Sequence, residues 1–152
     1  MSLTVSLQTL IRERLTSDRD LAWLLSPDTP RHHVRTDGFP ADRHIAKRIA
    51  DDGALDLLPR ITLGEGQVMP ADWMSSWRDE AALTLHIWTA GPGSLTAQRI
   101  MGAITRLTRI TVPVKADGYM IHRLVTAHSR IIRDPGGHIH GVQTLHAIAK
   151  EI

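Results

Sequence analysis

Nine histidines stand in a chain without a single cysteine, so any metal or acid–base chemistry here must begin from imidazole and carboxylate groups. His138 and His140 are two residues apart, which puts both on one face of a β-strand. His86, His122, His128 or His146 could then complete a transition-metal ligand set. Imidazole ligands normally lean on a carboxylate that fixes their geometry, whereas His138 stands in a glycine-rich turn. Polar strand and turn histidines are therefore the commoner reading, and a His-dependent metalloenzyme ranks last among three functional readings. His32 and His33 lie in a Pro/Asp/Gly-rich stretch and make weaker ligands still.

The remaining chemistry-bearing groups are sparse. Asp51-Asp52 and Asp79-Glu80 offer paired carboxylates, useful for general acid–base work only where burial separates their pKa values. Adjacent acids at a loop or strand start are usually solvated. Gly64-Glu-Gly66 and Asp134-Pro-Gly-Gly137 lack the spacing and the Lys-Ser/Thr ending of a phosphate-binding loop, and no serine sits in a Gly-x-Ser-x-Gly elbow. With no thiol there is no disulfide framework, no cysteine zinc site and no cysteine nucleophile. The expectation is a protein that is not an enzyme and needs no cofactor.

Two groups of residues suggest binding. Trp73 and Trp77 fall in and directly after the polar connection from Gly66 to Ser76, where large aromatics serve either as interface anchors or as a lid on the core edge. Trp23 and Trp88 are expected in the core. Arg99, Arg106 and Arg109 make a basic edge on a helix, for which a solvated face is the commoner explanation.

These groups must be carried by a chain of 152 residues, the usual size of one domain, with 42% hydrophobic and 22% charged residues. A single domain over residues 1–152 is expected. Eighteen basic and sixteen acidic residues leave a formal charge of only +2, so charge does not demand a nucleic-acid partner. No basic-then-apolar leader opens the chain and no run nears the roughly 20 apolar residues of a membrane span. A soluble, unsecreted protein is expected.

Leu3, Leu7, Leu10, Ile11 and Leu15 recur at helical spacing, and Ser17-Asp-Arg-Asp20 reads as a cap that restarts the helix before Leu21, Leu24 and Leu25. From Pro27 to Arg43 the prolines and glycine predict a long loop. Arg43 to Asp51 carries Ile45, Ala46, Ile49 and Ala50 at helical spacing, with a short strand or turn over Arg48 to Asp51 as the alternative. Ile61 and Leu63 begin a strand that Gly64 and Gly66 interrupt. Ala81, Leu83, Leu85 and Ile87 alternate with Ala82, Thr84 and His86, a strand with one apolar face. After Gly91-Pro-Gly93, the stripe Ala97, Ile100, Met101, Ile104 and Leu107 predicts a second helix. Met120 to Ile132 and Ile139 to Ile148 flank Asp134-Pro-Gly-Gly137 as a C-terminal hairpin. The expected fold is α+β, a mainly antiparallel sheet of about four strands with two helices packed on it, in the order α-β-β-α-β-β.

Three phrases in succession, Pro59-Arg-Ile-Thr-Leu-Gly-Glu-Gly-Gln67, Arg78-Asp-Glu-Ala-Ala-Leu-Thr-Leu-His-Ile-Trp-Thr89 and Arg130-Ile-Ile-Arg-Asp-Pro-Gly-Gly-His-Ile-His-Gly141, resemble the tail-completion (head–tail joining, tail-terminator) proteins of long-tailed bacteriophages and related prophages or gene-transfer particles. Their order carries the resemblance, which spans Pro59 to Ala147, with Leu7 to Leu25 matching the family's N-terminal helix. The resemblance implies a hexameric ring in the virion neck that caps the tail tube and joins it to the head, assembled in the host cytoplasm. The implied partners are further copies of the chain, the major tail-tube protein and a head-completion or connector protein, with DNA passing through the lumen without specific binding. Candidate contacts are the loop Gly64 to Arg78, especially Glu65, Gln67, Trp73, Trp77 and Arg78, and the segment Pro27 to Arg43. The runner-up is a nucleic-acid-binding module using Arg99, Arg106, Arg109, Arg123 and Arg130.

Overall fold

A computed structural model describes residues 2–25, 49–50, 59–70, 78–91 and 93–152. The expected loop Pro27 to Arg43 and the tryptophans Trp73 and Trp77 lie outside the described residues. Helix α1 (Leu3–Thr16) starts where the Ser2 hydroxyl accepts the Val5 N–H at 3.2 Å, occupying one of the orphan donors of the first turn. Leu3, Leu7, Ile11 and Leu15 form its buried stripe. Helix α2 (Arg19–Leu25) restarts where Asp18 accepts the Leu21 N–H at 2.9 Å, so the expected cap is present. The cap divides the N-terminal arm into two helices. With α3 (Leu95–Thr108) the described residues hold three helices instead of the expected two.

The strands are β1 (Ile49–Ala50), β2 (Arg60–Pro70), β3 (Asp79–Ala90), β4 (Val114–Ala116), β5 (Tyr119–Arg133) and β6 (His138–Glu151). They form one sheet in the spatial order β1-β2-β3-β6-β5-β4. Every neighbouring pair is antiparallel except β1 with β2, which run parallel. The α+β, mainly antiparallel expectation holds, while the strand number is corrected from about four to six and the order to α-α-β-β-β-α-β-β-β.

Two short edge strands account for the difference. Ile49–Ala50 pairs with Ile61 and Thr62, so the short-strand alternative for that segment is the one adopted. Asp117-Gly118 turns β4 back on β5. Both residues have positive φ, 33° and 87°, the backbone twist that two-residue hairpin turns require and that Asp-Gly supplies. The Ser6 hydroxyl of α1 donates to the Asp117 carbonyl at 3.1 Å and ties the turn to the helix layer.

The expected break at Gly64 and Gly66 is also corrected, because β2 continues to Pro70. The register shifts between Leu63 and Gly66, as a β-bulge does. A Cβ at Gly66 would collide with the Thr4 side chain of α1, and one at Gly64 would lie 2.9 Å from the His86 ring. Glycine therefore marks close approach on both faces of a continuing strand.

Helices α1 and α3 cover one face of the sheet, and α2 packs on both of them. Packing of α1 on β2 and β3, and of α3 on β3, β5 and β6, buries Ile61, Leu63, Ala81, Leu83, Leu85, Ile87, Leu145 and Ala147 beneath Leu7, Ile11, Ile100 and Ile104. Gln143, fully buried beneath α3, places its amide nitrogen 2.7 Å from the Thr105 hydroxyl, 3.1 Å from the Thr126 hydroxyl and 3.2 Å from the Met101 carbonyl. No helix among the described residues is long and apolar enough to cross a membrane.

Candidate assembly surfaces

Alternation along β3 sends Ala81, Leu83, Leu85 and Ile87 to the helix layer and Ala82, Thr84, His86 and Trp88 to the opposite face. Trp88 is thus on the wrong side of the sheet for the expected core position, because its parity along the strand is that of His86. Trp88 pairs in register with His140 and the two rings stack with centroids 3.8 Å apart and 8° between planes. His86 lies diagonally across the same pair of strands, its Nδ1 2.8 Å from His140 Nε2. One ring must donate and the other accept, so the contact favours at most one protonated partner. Burial first, and next the His86 ring, lower the His140 pKa from its ordinary value. Trp23 of α2 is likewise only half-buried.

The same face carries His146 hydrogen-bonded to Glu80 at 3.3 Å and the buried Arg60, whose Nη2 donates to the Thr62 hydroxyl at 3.3 Å. His138 shares this face with His140, as its spacing predicts, opposite Ala90. These residues make an aromatic and hydrogen-bonded patch with two imidazole nitrogens in contact. Among the described residues no group of three or more His, Asp or Glu is placed to hold a metal ion. His32 and His33 lie outside them.

The predicted contact residues fall on different surfaces. Gln67 is an exposed residue of β2 and Arg78 is exposed just before β3, so both belong to the β2–β3 end of the sheet. Glu65 lies at the β2 bulge. The expected loop from Gly64 to Arg78 is therefore strand as far as Pro70, with Trp73 and Trp77 in the undescribed remainder. Arg99, Arg106 and Arg109 are exposed on and just after α3. Arg106 approaches Asp18 at 3.8 Å, and Arg14 donates to the Leu107 carbonyl at 3.2 Å, beside an open cavity of about 420 Å³ lined by Glu13, Arg14, Ser17, Asp18 and Leu107. Arg123 and Arg130 pair with Ile148 and Val142, which places them on the sheet face away from the helices. The five arginines of the nucleic-acid reading thus divide between two sides of the sheet and form no single basic surface.

The Tail completion protein gp17 family model matches residues 9–150, from within α1 to the end of β6. The chain belongs to the tail completion protein gp17 family. A chain in the solved virion of a native gene transfer agent particle shares the fold, with a TM-score of 0.68 at 14% identity over 94% of this chain and 93% of that one. No curated protein shows significant similarity to it. Within this tail-completion chain, the sheet edges are the surfaces that sequence reasoning missed. Which strands end at an edge depends on strand order, for which periodicity carries no signal.

Proposed function

We propose that the chain is a structural tail-assembly protein of a phage-like particle. It forms a ring at the head-proximal end of the tail, ends the tail tube and joins it to the head connector. The family match over residues 9–150 carries this reading, and the fold shared with a chain of a gene transfer agent virion supports it. The ring works by binding, with one face to the major tail-tube protein and the other to the head-completion or connector protein. Its lumen lets DNA pass without specific contacts. Assembly takes place in the host cytoplasm, and the finished ring stays in the virion neck. One domain spanning residues 1–152 does this, with Gln67, Arg78, Trp73, Trp77, Glu65 and the Pro27 to Arg43 segment in contact with subunits or tube.

The test is the light-scattering mass of the chain alone and mixed with tail-tube protein. Six copies of the 16.9 kDa chain weigh about 101 kDa. A species of that mass, or a large complex formed only with tube protein, supports the reading. Monomer in both samples refutes it. In a particle assay, Trp73→Ala with Trp77→Ala should weaken tail attachment in protein that still folds; unchanged attachment removes those two side chains from the contact.

A further inference from the structure

We infer that copies of this chain join by continuing the β-sheet, with the outer edge of β5 in one copy pairing antiparallel with the outer edge of β2 in the next. The inference rests on the ring reading and specifies its contact. Among the described residues, β1 covers β2 only at Ile61 and Thr62. Likewise β4 covers β5 only from Tyr119 to Ile121, and Ile110 adds a bridge to Leu124. From Gly66 to Pro70 on one edge, and from Val125 to Ile132 on the other, no described strand pairs with the outward backbone. Such a row of donors and acceptors is a ready template for another chain. Both edges also expose apolar side chains, Val68 (43%) and Met69 (40%) on β2 and Ile132 (40%) on β5.

Strand direction selects the pairing. The strands β2, β3, β6 and β5 alternate in direction, so a neighbour related by rotation brings its β2 antiparallel to β5. The contact is then head-to-tail, the kind that closes rings. A two-fold contact of β5 with β5 would bring exposed Arg123 and Arg130 of each copy together, and like charges across strands are unfavourable. Between Ile61 and Pro70 the only ionisable residue is Glu65, so the β2 edge offers no such repulsion.

The open halves lie at opposite ends of the sheet. Gln67 is level with Ala82, His146 and Val125, whereas Arg130 is level with Val142, His86 and Thr62. Gln67 and Arg130 both project away from the helices, so they meet on one face when the neighbour is displaced four residue levels, the separation of Ala82 from His86, or ~14 Å along the strand. Equivalent strands of adjacent copies are four spacings apart, ~19 Å. A step of that size closes without rise when the strands incline about 35° to the ring axis, at the lower end of the range of closed barrels.

The test uses Gln67→Cys with Arg130→Cys in a chain that has no other cysteine. Wild type is first assembled alone or on tail-tube protein. Oxidation of the assembled double variant should give a ladder of disulfide-linked multimers, while each single variant stays uncrosslinked. In parallel, Gln67→Lys should lower the assembled fraction at least tenfold with unchanged circular dichroism, and Gln67→Lys with Arg130→Glu should restore it. Wild-type assembly with no ladder and no Gln67→Lys effect overturns the edge contact and leaves the ring reading standing. A dimer from Arg130→Cys alone overturns it in favour of a two-fold contact. Wild type that assembles neither alone nor on tube protein overturns the ring reading and the edge contact together.

Discussion

Replacing Gln143 by leucine should leave stability within about 1 kcal/mol of wild type or raise it, although the side chain is fully buried. Its amide nitrogen has three acceptors in reach, the Thr105 and Thr126 hydroxyls and the Met101 carbonyl, but only two hydrogens to give. Two net hydrogen bonds contribute about 1 kcal/mol each. Against them stands Gln143 Oε1, buried without a partner among the described residues, at a cost of about 1–3 kcal/mol. Leucine of similar volume removes both terms and orphans no neighbour. The Thr105 hydroxyl still donates to Met101 O at 3.1 Å, and the Thr126 hydroxyl still reaches that of Thr105 at 3.2 Å. Gln143→Ala removes the packing as well and should cost about 2–4 kcal/mol. Urea unfolding followed by far-ultraviolet circular dichroism reads both values, and the expected order is Leu at or above wild type, then Ala well below. A Gln143→Leu loss above about 2 kcal/mol would refute the account, since the amide would then contribute more than two ordinary net bonds.

Gly141→Ala should destabilise by about 1–3 kcal/mol, because the new Cβ would sit 2.7 Å from Met101 Sδ and 3.3 Å from Ile87 Cβ. Thermal melts of Gly141→Ala with and without Met101→Ala should show partial rescue, and additive losses would mean that Met101 is not the obstacle. His140, its pKa lowered by burial first and then by His86, with Arg130 acting the same way and Asp134 opposing, takes up fewer protons folded than unfolded at mildly acidic pH. Its contribution to stability is therefore complete above its ordinary value of 6.5 and is lost as pH falls toward the lowered one. His140→Phe, which keeps a ring on Trp88, should flatten the stability-versus-pH curve there; an unchanged slope assigns the titration elsewhere. Asp18→Ala should cost about 1 kcal/mol through the lost α2 cap, the exposed contact with Arg106 adding little. Asp18→Asn, which keeps a capping oxygen, should melt close to wild type.

Much of the fold is legible from local chemistry. The α1 stripe, the Asp18 cap, the alternation of β3 and the Asp134-Pro-Gly-Gly137 turn each form where side-chain period and turn residues demand, since these patterns act within a few residues of themselves. The same alternation already assigned His86 to the face opposite Leu85, and it would have sent Trp88 with it had parity been weighed above the general burial of tryptophan. Family membership was readable too, from the order of three phrases and not from any one of them.

Sequence alone therefore determined the helical segments, the four longer strands, the inward face of β3 and the family. Tertiary structure decided that β6 lies between β3 and β5, because register and strand order come from pairings between distant segments that no local period encodes. That order alone stacks Trp88 on His140 and brings His86 within hydrogen-bonding distance, while the packing of α3 on the opposite face separates Arg123 and Arg130 from Arg99 and Arg106. It also leaves β2 and β5 covered only in part by the short edge strands β1 and β4. Which backbone groups remain open for a neighbouring copy is a property of the assembled sheet.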